Sequence, residues 1–122
     1  MTIGKKDDKN KPPVFEGVLE YFPLAILEIA KVSAMGAQKY DWGNWVHVQD
    51  GYKRYTSALC RHLVGKGDLD FDDESNLLHA AHVAWNSLAR LELILKKMRK
   101  RKKRYVVDSG IEIIGEQKEA LT

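Results

Sequence analysis

The segment His79 to Arg90, HAAHVAWNSLAR, constrains the fold more than any other stretch of the chain. At about 100° per residue, His79, His82 and Asn86 fall within one narrow arc of a helix. Most of the remaining positions are Ala, Val, Trp and Leu, so the helix is apolar nearly all round and belongs in a core or an oligomer interface. Hydrogen-bonding groups buried there are costly unless something satisfies them. Two imidazoles three residues apart on one face can bond to backbone and to Asn86, or can point their nitrogens at one metal ion. Two histidines in register, with Asn86 below them, favour the second use.

The rest of the chain reads as helix and loop. Met1 to Pro13 is rich in Lys, Asp and Asn and ends in Pro12-Pro13, the pattern of a mobile arm. Val14 to Tyr21 forms a short helix or turn. Pro23 opens a long helix to about Lys39, in a first turn where its missing N–H costs nothing. Only Glu28 and Lys31 interrupt the apolar interior of that helix, so it too should be buried on more than one side. Tyr40 to Gly51 is a structured loop with three large aromatics. Tyr52 to Val64 is a second helix, closed by Gly65 and Gly67. Asp68 to Glu74 is an acidic connector whose Asp72 or Asp73 caps a third helix, running from about Glu74 to about Lys100. Tyr105 to Val107, an Asp-Ser-Gly turn and the IEII beyond it have the form of a small β-hairpin. The expected organisation is an arm at 1–13, an all-α domain at 14–104, and a C-terminal hairpin and tail at 105–122. Three helices, two of them apolar all round, leave a surplus apolar face, so the helical bundle should be completed by oligomerisation, as a dimer or tetramer.

Composition excludes several classes. A single cysteine, Cys60, permits neither an intramolecular disulfide nor a cysteine-based zinc site. No apolar run approaches the ~20 residues of a membrane span and the N-terminus is charged, which predicts a soluble, cytoplasmic protein with no membrane partner. The net charge of +3 is local: Lys96 to Arg104 holds eight basic residues in nine, and the remainder of the chain is acidic. That run reads as a solvated helix end or as an attraction for phosphate-bearing partners, a small nucleic-acid-binding protein among them. It interleaves no aromatics on which bases would stack, which favours the solvated helix.

Other side chains bear on chemistry. Glu28 is the only acid between Leu24 and Gln38, and a carboxylate in such surroundings is paired with Lys31 or an arginine, protonated, or bound to a metal. Glu74 lies about 80° round the expected third helix from His82, within reach of an ion held there. The acidic connector is no EF-hand, since its sixth position is Asp73 rather than glycine and its twelfth is His79 rather than glutamate. Lys39, Arg54 and Arg61 flank apolar helices and suit polyphosphate oxygens. Tyr40, Trp42 and Trp45 would either sandwich a base or pack their loop. There is no glycine-rich phosphate cradle, nucleophile elbow or zinc-deaminase pattern, so hydrolysis by metal-activated water is the most compatible chemistry.

FPLAILEIAKVSAMGAQKYDWGNW, then YTSALCRHL, then DDESNLLHAAHVAWNSLARLEL, together resemble the phage dATP/dGTP diphosphohydrolases, a branch of the all-α MazG-like nucleotide pyrophosphohydrolases. The resemblance covers roughly Tyr21 to Leu95. It implies cleavage of a purine (deoxy)nucleoside triphosphate, dGTP or dATP, to monophosphate and pyrophosphate in phage nucleotide metabolism. Two or more divalent cations (Mg, Mn or Co) would be held between helices, and the setting would be the host cytoplasm. By the same resemblance Glu28, His79 and His82 are expected metal ligands, with Glu74 beside them. Lys39, Asn44, Trp45, Arg61, His62 and Asn86 are expected to contact the phosphates or nucleotide, and Glu28, Arg61 and His62 to be catalytic, with Arg61 stabilising charge and His62 a candidate for proton transfer. The broader MazG pattern has an E-E-x-x-E helix followed by E-x-x-D, whereas this chain has Glu28 with Lys31 and His79-x-x-His82. Fewer carboxylates and more imidazoles favour Mn or Co over Mg. The triphosphate-releasing HD hydrolases are a poorer match, because no His-Asp dipeptide occurs.

Overall fold

The structure, a computed structural model, describes residues 2–65 and 70–109, with side chains described as far as residue 102. Its elements are a π-helical turn at Phe15–Leu19, helix α1 at Pro23–Tyr40, a 3-10 turn at Asn44–His47, helix α2 at Gly51–Val64 and helix α3 at His79–Ser109. Among the described residues the only extended pairing is a single antiparallel bridge between Phe71 and Leu78. The fold is therefore all-α, as the helical spacing predicts. Among the described residues no helix is long and apolar enough to cross a membrane.

Local chemistry sets each boundary. Pro23 occupies the first turn of α1, where its fixed φ is already helical. The helix stops because Asp41 takes φ 92, although its N–H still donates to the Ala37 carbonyl. α2 starts after Asp50, itself left-handed at φ 55, and ends at Gly65. A β-carbon at Gly65 would lie 2.9 Å from the Arg61 carbonyl oxygen, so glycine is required there. α3 begins at His79, later than the expected Glu74, because residues 70–79 close a compact loop first. In that loop the Asp72 N–H donates to Leu77, Asn76 N–H to Asp72, and His79 N–H to Asp70, with Asn76 left-handed at φ 59. At its other end α3 continues through Tyr105–Ser109, which corrects the expected strand and turn there. Adding one residue to an existing helix needs no new nucleus, and this outweighs the local β-preference of Tyr-Val-Val. Gly110 to Thr122, the rest of the expected hairpin, lie outside the described residues.

α3 is the central helix, packed against α2 and, less extensively, against α1. Trp85 is the pin of this packing. Its ring lies edge-on to Trp45 at 5.9 Å and to Tyr55 at 5.6 Å, and its indole N–H donates to Ser33 Oγ on α1 at 2.8 Å. Arg90 ties α3 to α2 a turn later, donating to Thr56 Oγ1 and to the Tyr52 hydroxyl. α1 is covered on one side only within a single chain: Val32 is buried, while Leu24 and Leu27 are 79% and 61% exposed. Leu88, Leu91 and Leu95, on one face of α3, are also about half exposed.

Replacing Trp85 by alanine removes three attachments at once. The expected cost is about 3 kcal/mol, the low end for a buried aromatic because the ring is only partly covered. Urea unfolding of Trp85→Ala beside wild type reads it, and a change within ~0.5 kcal/mol would remove Trp85 as the pin.

Candidate metal centre and cleft

The last turn of α2, the 70–79 loop and the first turn of α3 meet at a knot of polar side chains. His82 and Asn86 are each only 5% exposed, so their polar atoms need partners. Ser75 Oγ lies 2.7 Å from His82 Nε2, and Asn86 Nδ2 donates to the His82 carbonyl at 2.8 Å. Ser75 also fixes Asp72: its backbone N–H donates to Asp72 Oδ2 at 2.8 Å, a side-chain-capped turn typical of aspartate. That turn aims the Asp72 carboxylate back at the histidines. Its oxygens are 3.9 Å from His62 Nδ1 and 4.0 Å from His82 Nε2, beyond hydrogen-bond range.

Three imidazoles crowd this carboxylate. His62 stacks on His82 with ring centroids 4.2 Å apart and planes 6° from parallel, and His62 Nδ1 is 3.0 Å from His79 Nδ1. One ligand atom each from His62, Asp72 and His79 lies within 4.8 Å of the others. Ligands held at roughly 2.0–2.2 Å from a common ion are themselves only a few Å apart, so this trio fits a divalent cation. Two imidazoles and one carboxylate suit Mn, Co, Zn or Fe better than Mg. Burial pushes the His62 and His82 imidazoles below their usual range, and for His62 the neighbouring His82 adds to the effect. Both shifts favour the neutral imidazole, in which one ring nitrogen carries a lone pair and the other a proton. Burial also pushes Asp72 upward, but the Ser75 hydrogen bonds and the nearby His82 and His62 outweigh it, and its carboxyl is held below the usual carboxylate range.

Beside this knot opens a cleft of about 600 Å³, within the range of small-molecule sites. Its wall includes His62, Asp72 and His82 at the knot, Asn86 and Trp85 from α3, Arg54 and Arg61 from α2, and Lys39 with the loop from Tyr40 to Trp45. Lys39 Nζ donates to Glu74 Oε1 at 2.6 Å, joining the end of α1 to the 70–79 loop, and this bond holds the ammonium above its ordinary pKa.

The expected site residues divide clearly. Lys39, Asn44, Trp45, Arg61, His62, Glu74, His82 and Asn86 all line the cleft, and His79 adjoins it through His62. Glu28 does not join them. It faces Lys31, 3.1 Å away on the same helix, in the ion pair that was the alternative reading of its sequence context. Glu74 lies in the loop rather than on α3, so the helical angle that brought it toward His82 does not apply. Trp45 is committed to packing against Tyr55 and Trp85, and its carbonyl accepts the Tyr55 hydroxyl at 2.6 Å. Sequence reasoning missed Asp72 as a partner of the histidines and treated it as a helix cap. The signal was Asp72-x-x-Ser75 directly before the His-x-x-His stripe, a turn that points a carboxylate along the chain.

Over residues 2–103 the chain matches the family described as dATP/dGTP diphosphohydrolase, N-terminal. A dATP/dGTP diphosphohydrolase of Salmonella phage PMBT28 is 37% identical over 82 residues, which are 66% of this chain and 26% of that protein. The chain thus spans about a quarter of the length of that relative. No solved structure matches it.

The depressed histidines give the metal-free protein a pH-dependent stability. With folded-state values below the ordinary one, the unfolded chain binds more protons, so this stability is complete above about pH 6.5 and is lost as pH falls below it. Asp72, depressed as a carboxylate, keeps contributing until pH falls through its usual range near ~4. In chelator-treated protein the melting temperature should fall between pH 7 and pH 5.5. A flat profile there contradicts the burial of neutral imidazoles.

Proposed function

Because the chain belongs to the family of the N-terminal part of dATP/dGTP diphosphohydrolases, we propose that it hydrolyses purine deoxynucleoside triphosphates, dGTP or dATP, to monophosphate and pyrophosphate. The setting is phage nucleotide metabolism, and the reaction needs a divalent cation. The observation that carries this reading is the junction of the His62–Asp72–His79 trio with a cleft walled by cations and aromatic side chains.

His62, Asp72 and His79 would hold the ion, with His82 fixed against His62 by stacking and by Ser75. When bound, a divalent cation supplies Lewis-acid chemistry, neutralising phosphate charge and acidifying water. The side chains do the rest. Arg61 presents a planar fork to phosphate oxygens and offsets the charge that grows as pyrophosphate departs. Lys39 adds a point charge once an incoming phosphate replaces the Glu74 carboxylate at its ammonium. Asn44 and Asn86 offer amide donors and acceptors along the wall. A water oxygen attacks the α-phosphorus and gives up a proton to solvent, the bond from that phosphorus to the bridging oxygen breaks, and pyrophosphate leaves with the bond's electron pair. In this scheme His62 is a ligand, which excludes the same nitrogen from proton transfer. Glu28 stays with Lys31.

The exposed leucines of α1 and α3 support assembly into a dimer or tetramer, because a single chain buries so little of its apolar surface. In the basic run Lys97, Arg99, Lys100 and Lys102 are exposed, and Lys96 pairs with Glu92. It lies outside the cleft.

Incubation with each of the eight common nucleoside triphosphates plus Mg²⁺, Mn²⁺ or Co²⁺, with chromatography of products, tests the reaction. Monophosphate plus pyrophosphate from a purine subset is expected, together with a loss of at least about 100-fold in Asp72→Asn at unchanged helix content. Release of triphosphate, or no turnover with any metal, overturns the reading.

A further inference from the structure

The loop joining α1 to α2 holds two groups that metal and phosphate chemistry leave unused. Asp41 sits at φ 92 and ψ 154, a backbone region close to glycine's alone, and Gly43 follows at φ 80. A side chain is strained in that conformation, and such strain persists where the surroundings or the function require it. Between the two, Trp42 is 76% exposed although it is among the largest apolar side chains in the protein. Both Asp41 and Trp42 line the cleft.

Neither side chain has a hydrogen-bond, ion-pair or ring partner among the described residues. The Asp41 carboxylate accepts no hydrogen bond and forms no ion pair, while the nearby Lys39 is engaged by Glu74. Trp42 touches no other ring, whereas Trp45 is packed between Tyr55 and Trp85, and Tyr40 has the Lys39 ammonium 5.6 Å from its ring centre. The loop thus divides its aromatics: Trp45 anchors it to the body, and Trp42 remains open on the cleft wall. A free indole is a stacking surface for any flat heterocycle and grips a purine over a larger area than a pyrimidine. A free carboxylate accepts hydrogen bonds only, so it pairs with an edge that offers donors.

We propose that Asp41 and Trp42 form a guanine-reading subsite, in which the indole of Trp42 stacks on the base and the Asp41 carboxylate accepts hydrogen bonds from guanine N1–H and the 2-amino group. Guanine offers two adjacent donors on that edge, matching the two carboxylate oxygens. Adenine offers one amino group beside the N1 lone pair, which the carboxylate repels. Discrimination by a hydrogen-bonding group exceeds what an apolar pocket achieves, because the wrong base leaves the group unpaired. The inference deepens the nucleotide-hydrolase reading and rests on it. It selects dGTP over dATP and makes Asp41 the specificity-determining residue.

The test compares kcat/KM for dGTP and dATP in the wild type, Asp41→Asn and Trp42→Ala, with inorganic triphosphate as a competitive inhibitor that has no base. Asn is isosteric with Asp and no more strained at φ 92, so Asp41→Asn preserves the loop, and circular dichroism verifies both variants. The wild type should prefer dGTP, and Asp41→Asn should lower the dGTP:dATP ratio at least tenfold. Trp42→Ala should raise KM for both nucleotides about tenfold or more and leave the inhibition constant of triphosphate within twofold. A wild type that prefers dATP, an unchanged ratio in Asp41→Asn, or an unchanged KM in Trp42→Ala overturns the subsite while hydrolysis itself stands. A wild type that hydrolyses neither nucleotide overturns the underlying reading, and the subsite with it.

Discussion

The hydrogen bond between Ser75 and His82 governs the rest of the site. His82 is nearly sealed from water, and an unsatisfied ring nitrogen there would oppose folding. Satisfying it requires the chain ahead of α3 to fold back over the helix rather than continue it. The same serine then uses its backbone N–H to hold Asp72, which turns a connector residue into part of a cluster. His62 arrives from α2 and stacks on the pinned His82. One buried imidazole thus brings together an aspartate from a loop, a histidine from a second helix and the first residue of α3. The arrangement is local and polar, which suits a protein with few buried apolar residues among those described.

Much of this organisation is legible in the sequence, and the exceptions have physical causes. The stripe of His79, His82 and Asn86 follows from helical periodicity alone, and His82 and Asn86 are the buried polar residues it implies. Pro23 and Gly65 mark helix ends as their backbone preferences require. Asp72 escaped because its role depends on a loop closed by Phe71 and Leu78, and no periodicity encodes such a closure. The displaced start of α3 has the same origin, and with it the misplaced angle of Glu74. Tyr105 to Val107 reads locally as strand, yet a helix already formed extends through it. Glu28 was a lone acid in an apolar helix, which suggested burial. That helix is open on one side, so Glu28 reaches solvent and Lys31 instead.

The cleft links the cluster to what it would act on. Its cations come from α1 and α2, its carboxamides from α3 and the loop, and its aromatic edge from the loop between the first two helices. Each of those elements is tied to α3 through Trp85 or Arg90, so the cleft is set by the same contacts that hold the helices together. The Lys39–Glu74 pair spans from α1 to the 70–79 loop at the cleft wall. A triphosphate brings negative charge to a lysine that now faces the Glu74 carboxylate and an arginine that now donates to the Ser57 hydroxyl, and an ion in the cluster would complete the set.

Diffraction from crystals grown with Mn²⁺, recorded for the anomalous signal of manganese, tests the proposed metal centre most directly. A peak bonded to His62, Asp72 and His79, and absent in crystals of Asp72→Asn, is the expected result. A manganese peak at Glu28 instead, or none near the three histidines at saturating Mn²⁺, would contradict the assignment of the catalytic centre to this cluster.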